Sequence, residues 1–131
     1  MSAENIEIVR RAYEALASSD EGAALAIADP DVEIHSLFSG TEKVYRGHDG
    51  VREYLADMAD VWASVAREPE QIRDAGDKVV VALNMSVEGR GSGVGLTDTF
   101  GNLWTLRDGK VVEARTFPTF EAALEAAGIE G

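Results

Sequence analysis

Apolar residues in the first half of the chain recur at helical spacing. One stripe, in a helix that begins near Ala3, consists of Ile6, Val9, Tyr13 and Leu16. A later stripe, in a helix over roughly Asp49–Ser64, consists of Val51, Tyr54, Leu55, Met58 and Trp62. Residues three or four positions apart share one face of a helix, so both segments are predicted to be amphipathic helices with one buried face.

Shorter elements are predicted between these two helices. Glu21–Ala28 is a short helix that ends before Pro30, because the residue before a proline avoids the helical conformation. Val32–Phe38 is a short strand, and Ser39–Gly47 is a loop.

After about Val65 the pattern changes to the alternation typical of β-strands. Arg67–Asp74 is predicted as a polar strand, Lys78–Glu88 as a strand with one apolar side, and Phe120–Ala127 as a C-terminal helix. Helices followed by an antiparallel meander predict an α+β fold. The long helices are expected to cover the apolar side of the sheet.

The segment Val94–Phe117 is predicted to form a β-hairpin. Asp108-Gly109 is typical of a tight turn that needs positive φ at both central residues. Counting back from this turn places Asn102 opposite Arg115 and predicts a face that mixes large apolar and polar side chains: Leu96, Phe100, Trp104, Leu106, Val111 and Phe117 with Asp98, Asn102, Glu113 and Arg115. Such a face is either a core with satisfied polar pairs or the wall of a ligand pocket.

The preceding strand extends this mixed face. A tight turn near Gly91-Ser92 places Val81 opposite Asn102 and Val79 opposite Trp104. The apolar row of that strand then continues the face of the hairpin.

Composition narrows the class of protein. With 131 residues the chain is expected to be one domain. The net charge of −12 argues against binding to nucleic acid, which needs a basic surface. The absence of cysteine excludes disulfides, thiolate zinc sites and a thiol nucleophile. His35 and His48 lack metal-ligand spacing with acids, so neither a metal nor an organic cofactor is predicted. With no apolar signal segment or membrane span, we expect a cytoplasmic protein.

Four segments in this order resemble the NTF2-like superfamily, and within it the SnoaL-like or ketosteroid-isomerase-like proteins: IVRRAYEAL, ADPDVEIHSLF, YRGHDGVREYL and LWTLRDGKVVEARTF. The resemblance runs from about Ile6 to Leu124. It implies a cone, in which a strongly curved antiparallel sheet holds three N-terminal helices on its concave face and a short helix follows. It also implies a small-molecule pocket at the open end and a homodimer. Apolar residues on the second sheet face agree with a dimer: Val80, Ala82, Leu103, Val112 and Ala114.

The resemblance also implies catalytic residues. Tyr13 looks like the tyrosine that helps to form an oxyanion hole in ketosteroid isomerases. His35 stands at the position of their general-base aspartate, and Asn102 stands where they carry a protonated aspartate. Both exchanges preserve usable chemistry, because histidine is a competent base near neutral pH and an amide can donate to an oxyanion.

Further residues are candidates for ligand contact: Tyr54, Met58, Trp62, Asp98, Trp104, Arg115 and Phe117. The aromatic ones have core packing as an alternative role. Arg115 has a structural alternative too, since an ion pair with Glu113 or Asp98 would satisfy it without a ligand.

These residues support more than one function. The leading hypothesis is a protein that binds or transforms a small, largely apolar ligand, with proton transfer beside a carbonyl as the isomerase- or cyclase-type reaction. A non-catalytic ligand-binding or dimerisation module is the alternative. A minor third hypothesis is an epoxide-hydrolase-like enzyme, in which Asp98, Arg115 and a further acid would activate water.

Overall fold

The alternating second half of the chain forms the long strands of a curved sheet. The computed structural model of the protein describes residues 2–38 and 43–129. Its strands are β1 (Ala28–His35), β2 (Tyr45–Arg46), β3 (Trp62–Ala75), β4 (Lys78–Gly89), β5 (Gly95–Arg107) and β6 (Lys110–Phe117). In the described part of the chain they form one sheet in the order β2-β1-β6-β5-β4-β3, in which only β1 and β6 run parallel.

The helices are α1 (Ser2–Ala17), α2 (Glu21–Ile27), α3 (Gly47–Val61) and α4 (Phe120–Ala127). The first three cover one side of the sheet, which we call the inner face. Its core joins Val9 and Val51 of the helices to Val79, Val81 and Leu83 of β4. The predicted α+β architecture, with helices against an apolar sheet face, is therefore confirmed.

The predicted pairing of β4 with β5 is confirmed. Val81 lies opposite Asn102, and Val79 lies opposite Trp104. The apolar row of β4 therefore continues into β5 on the inner face.

The turn between β5 and β6 also forms as predicted. Asp108 and Gly109 have φ angles of 53° and 76°, which is the left-handed region that such a turn requires. Leu106 and Val111 then lie opposite each other, as expected.

Beyond that pair the register shifts. Leu106 pairs with Val111 but Thr105 pairs with Glu113, so Val112 is the extra residue of a β-bulge in β6. A bulge leaves two residues of one strand opposite one residue of its partner. Compared with the regular register counted from the turn, every later side chain of β6 therefore lies on the opposite face of the sheet.

The predicted opposition of Asn102 and Arg115 is therefore wrong. Asn102 pairs with Thr116 and Trp104 pairs with Ala114. Ala114 belongs to the inner core, whereas Arg115, one position along, lies on the other side of the sheet. The bulge thus separates two side chains that the turn alone would have placed together.

The end of α3 also differs from the prediction. The helix ends at Val61, and Trp62 has an extended backbone and begins β3 opposite Gly89. Trp62 is therefore not part of the helical stripe that contains Tyr54. Pairing with the long strand β4 outweighs the helical spacing of this side chain.

The first strand is shifted as well. It covers Ala28–His35 instead of Val32–Phe38, and it pairs with β6 in parallel. The last part of the predicted loop forms β2, which pairs with β1, while residues 39–42 of that loop lie outside the described residues.

Helix α4 covers the opposite side of the sheet, which we call the outer face. Val80 and Leu103 pack there against Ala123 and Leu124 and are almost fully buried. Val80 and Leu103 therefore do not contribute to a dimer surface as predicted, because their own chain covers them. Ala114 does not lie on this face either, since it belongs to the inner core.

None of the helices in the described residues combines the length and the apolar character needed to cross a membrane.

Candidate functional site

A cavity of about 90 Å³ lies between the inner face and the first three helices. Most of its wall is apolar and includes Leu16, Ile27, Val32, Val51, Leu83 and Met85. Its polar and aromatic part includes His35, Ser36, Tyr54, Arg67, Asn102, Trp104, Arg115 and Thr116. A few polar groups in an apolar concavity are typical of a small-molecule site.

Tyr13, Asn102 and Trp104 form one hydrogen-bonded group beside this cavity. Asn102 Nδ2 donates to Tyr13 Oη over 2.9 Å, and Trp104 Nε1 donates to the same oxygen over 3.0 Å. The rings of Tyr13 and Trp104 also meet edge to face, with centroids 5.4 Å apart. Helical spacing brings Tyr13 to the sheet, and strand alternation aims Asn102 and Trp104 at it.

The Tyr13 hydroxyl is neutral at physiological pH. Burial raises the pKa of this hydroxyl to about 12, and the hydrogen bonds from Asn102 and Trp104 lower it less than burial raises it. Because the oxygen accepts two hydrogen bonds and keeps its proton, Tyr13 retains an O–H donor. Donors that already receive hydrogen bonds are strengthened by them.

Asn102 has an unsatisfied atom. The residue is 8 % exposed, and among the described residues its Oδ1 has no hydrogen-bond partner. An unpaired buried polar atom costs about 1–3 kcal/mol, so a folded protein rarely retains one without a reason. Asn102 is also one of the residues that form the cavity wall.

Arg67 is a cavity residue that the sequence analysis missed. It lies on β3 opposite Met85, which belongs to the inner core, and its Nη2 donates to Tyr54 Oη over 3.1 Å. The sequence contains one indication of this position. Val65 and Arg67 are two residues apart in a strand and therefore share a face, and an apolar residue such as Val65 indicates that this face is buried. Strand β3 had been predicted only as a polar strand.

His35 borders the cavity but does not join Tyr13 and Asn102. Its neighbours Val32 and Ile34 face the core, and its ring Nε2 lies 3.3 Å from Glu33 Oε1. The hydrogen bond from His35 is the main cause that lowers the pKa of the Glu33 carboxyl. The structure therefore holds this histidine at the edge, against a carboxylate.

The same edge contains a group with metal-ligand character. Atoms of Glu33, His35 and Glu113 lie within 4.8 Å of one another, although the sequence spacing had predicted no metal site. Both carboxylates already contact cations. Arg46 Nη1 lies 2.8 Å from Glu33 Oε2, and Arg115 Nε lies 3.9 Å from Glu113 Oε1.

The remaining predicted contacts divide into two groups. Tyr54 and Trp104 line the cavity. Arg115 also borders it, but strand alternation places its side chain on the opposite face of the sheet, where the exposed guanidinium is paired with Glu113. Four other predicted ligand contacts are absent from the described lining residues: Met58, Trp62, Asp98 and Phe117.

Each of these four side chains has another environment. Met58 is buried in α3, and Trp62 Nε1 donates to the Phe38 carbonyl over 2.8 Å. Phe117 packs beside α4 on the outer face. Asp98 is exposed and lies opposite Met85, away from Arg115, so this pair does not form the arrangement that an epoxide hydrolase would need.

The family model described as a SnoaL-like domain matches residues 9–114, which include Tyr13, Arg67 and Asn102. The chain belongs to the SnoaL-like family. The comparison with curated protein sequences gives no match.

Solved structures agree with this assignment to the SnoaL-like family. TerC, co-crystallised with polyporic acid, is 28% identical, with a TM-score of 0.80 over 95% of this chain and 98% of that one. An NTF2-like protein of unknown function from Burkholderia pseudomallei is 23% identical, with a TM-score of 0.81 over 93% and 95% of the two chains. A putative SnoaL-like polyketide cyclase from Jannaschia is 21% identical, with a TM-score of 0.76 over 99% and 95%. The last two show a shared fold alone, and the predicted NTF2-like cone is confirmed.

Proposed function

We propose that this SnoaL-like protein binds a small, largely apolar molecule in the inner cavity, with a polar group of the ligand at Asn102. The observation that carries the proposal is the buried Oδ1 of Asn102, which has no partner among the described residues and belongs to the cavity wall. A ligand that supplies the missing hydrogen bond would remove the free-energy cost of this atom.

The network around Asn102 suits two kinds of polar group on a ligand, a hydrogen-bond donor or an acceptor. In the observed orientation, Oδ1 accepts from a hydroxyl, enol or N–H group of the ligand. After a half-turn of the amide, Oδ1 accepts from the Tyr13 hydroxyl and the NH₂ group donates to a ligand carbonyl. Trp104 donates to Tyr13 in both cases, so one network serves both ligand types.

The wall limits the rest of the ligand. Apolar side chains surround the cavity, and its volume of about 90 Å³ suits a ring-sized group. The co-crystal of the similar protein TerC with polyporic acid supports binding of a small molecule at this fold. We therefore favour a ligand with an aromatic or alicyclic ring and a polar substituent.

Binding can be followed at the two indole groups of the chain. Trp104 lines the cavity, whereas Trp62 is not among the described lining residues. In ¹H–¹⁵N spectra, 2-naphthamide is expected to move the indole signal of Trp104 and to leave that of Trp62 in place. If the Trp104 signal does not respond at millimolar ligand, the proposal is wrong.

Two asparagine variants test the role of Asn102. Asn102→Leu is expected to weaken 2-naphthamide binding at least roughly fivefold, since it removes a hydrogen bond of about 1 kcal/mol or more. Asn84→Leu is the matched control, because Asn84 also has an unpartnered buried Oδ1 but is not among the described lining residues. Equal losses in the two variants would exclude a specific contact at Asn102.

A second candidate function is proton transfer beside a carbonyl. The position of His35 favours it, because this histidine borders the cavity and an imidazole can accept a proton from a ligand. His35 would take the proton, while the rotated amide of Asn102, held in place by the Tyr13 hydroxyl, would donate to the developing oxyanion. Among the described lining residues no carboxylate competes with His35 for the role of base.

This reaction is testable without the natural substrate. A catalytic site should accelerate deuterium exchange at the α-carbon of 2-tetralone in D₂O, and His35→Gln should remove the acceleration. If the wild-type protein binds 2-tetralone but does not accelerate exchange, the protein is a binding module for this class of ligand.

Homodimerisation stays a prediction from the family, and light scattering at micromolar concentration tests it.

A further inference from the structure

Arg67 is a charged side chain that has no charged partner within the described part of the chain. Its guanidinium has several N–H donors, of which one reaches Tyr54 Oη at 3.1 Å. No carboxylate of the described residues lies within ion-pair distance of it. The side chain is half-buried, so water compensates its charge only in part.

The charges of the cavity are opposite to those of the whole protein. The chain carries 24 acidic residues and a net charge of −12, yet no aspartate or glutamate is among the described residues that line the cavity. Arg67 and Arg115 do line it, and only Arg115 is paired with a carboxylate. As far as the described lining residues go, the local charge in this apolar cavity is therefore positive and comes from Arg67.

From this we infer that the ligand carries one acidic oxygen, such as a carboxylate, an enolate or a phenolate, and that Arg67 binds it. The inference rests on the proposed function, since it names the class of molecule that fills the same cavity. Tyr54 positions the guanidinium, because its hydroxyl accepts one of the N–H groups of Arg67. The other N–H groups would bind the acidic oxygen of the ligand. A charged hydrogen bond of this kind is about twice as strong as a neutral one.

The position of Arg67 fits a ligand with two polar ends. Arg67 lies on β3, whereas Asn102 lies on β5, with β4 between them. Met85 of β4 lies directly opposite Arg67, so the floor between the two polar sites is apolar. An apolar ring between an acidic oxygen and a second polar group matches this arrangement.

The matched pair of 2-naphthoate and 2-naphthamide tests the inference. The two probes share a ring system and differ in charge, and the Trp104 indole signal reports both. We expect wild-type protein to bind the carboxylate at least about tenfold more tightly than the amide. If the amide moves the Trp104 signal and binds as tightly as the carboxylate, the acidic-ligand inference is overturned and the cavity proposal stands. If neither probe moves that signal, both fail.

Variants then locate the preference. Arg67→Gln is expected to reduce the ratio of the two dissociation constants to about one. Arg52→Gln keeps the wild-type ratio, because Arg52 is an exposed arginine paired with Asp49 and is not among the described lining residues. If the preference for 2-naphthoate persists in Arg67→Gln but is lost in Arg115→Gln, the anion binds at Arg115 and the inference is overturned. The comparison of the two probes in the wild-type protein decides the question even if Arg67→Gln fails to fold.

Discussion

The amide of Asn102 donates to the hydroxyl of Tyr13 over 2.9 Å and thereby connects β5 to α1 across 89 positions of the chain. The same hydroxyl accepts the indole N–H of Trp104. One oxygen therefore satisfies two buried donors of the sheet, whereas the Oδ1 of Asn102 has no partner among the described residues. Stability and binding depend on different atoms of this group, so substitutions can separate them.

Removing the Tyr13 hydroxyl should mainly affect stability. Tyr13→Phe leaves two buried N–H groups without an acceptor, and we expect the free energy of unfolding to fall by roughly 2–4 kcal/mol. Urea denaturation measures the loss. Tyr54→Phe is the control, because its hydroxyl accepts from the half-buried Arg67, which water can reach, and it should lose about 1 kcal/mol or less. Similar losses in the two variants would contradict the role assigned to Tyr13.

Removing the amide of Asn102 should have only a small effect on stability. Asn102→Leu loses the hydrogen bond to Tyr13, but it also removes an unpaired buried oxygen. These effects oppose each other, so we expect a change below about 1.5 kcal/mol in urea denaturation. A loss well above this value would make Asn102 primarily a structural residue.

The raised pKa of Tyr13 predicts alkaline instability. The unfolded chain releases this proton near the ordinary pKa of 10.0, whereas the folded protein holds it up to about 12. Above pH 10 the unfolded state binds fewer protons than the folded state, so stability falls as pH rises. Between pH 9 and pH 11 the wild-type protein should lose about 1 kcal/mol more than Tyr13→Phe does. Parallel pH profiles of the two proteins in urea denaturation would contradict this.

The contact of α4 with β5 predicts a sensitive glycine. A Cβ at Gly101 would lie 2.4 Å from the Thr119 carbonyl oxygen and 2.8 Å from the Ala123 Cβ. We expect Gly101→Ala to lower the free energy of unfolding by about 1–3 kcal/mol or more, since α4 must move away from the sheet.

Gly95→Ala, in the same strand, is the control for this substitution. Its Cβ would meet nothing closer than the Val87 carbonyl oxygen at 3.6 Å. Thermal unfolding should therefore distinguish the two variants clearly, and equal midpoints would show that α4 does not pack on Gly101 as described.

The periodic pattern predicted those elements whose partners are near in sequence. The pairing of β4 with β5 follows from one short turn and from the alternation of Val79 and Val81, and it is confirmed. The turn at Asp108-Gly109 is confirmed for the same reason. The bulge at Val112 was not predictable, because Val111 and Val112 are both apolar and the sequence pattern does not show which of them is the extra residue.

Tertiary contacts overrode local spacing elsewhere. Trp62 continues the helical stripe of α3 in sequence, but it begins β3 because the backbone there pairs with Gly89 of β4. Arg67 reads as a solvated residue of a polar strand, and only the curved sheet places it against the cavity.

By itself the sequence determined the α+β order, the antiparallel meander, the apolar inner face and the positions of Tyr13 and Asn102 on elements that meet. Periodicity states which residues share a face of one helix or strand, so it suffices for these conclusions. Tertiary structure alone decided that His35 contacts Glu33, that Arg67 lacks a carboxylate, and that the Oδ1 of Asn102 lacks a donor among the described residues. The partner of a polar group depends on distances between elements that are remote in sequence, and no periodic pattern contains those distances.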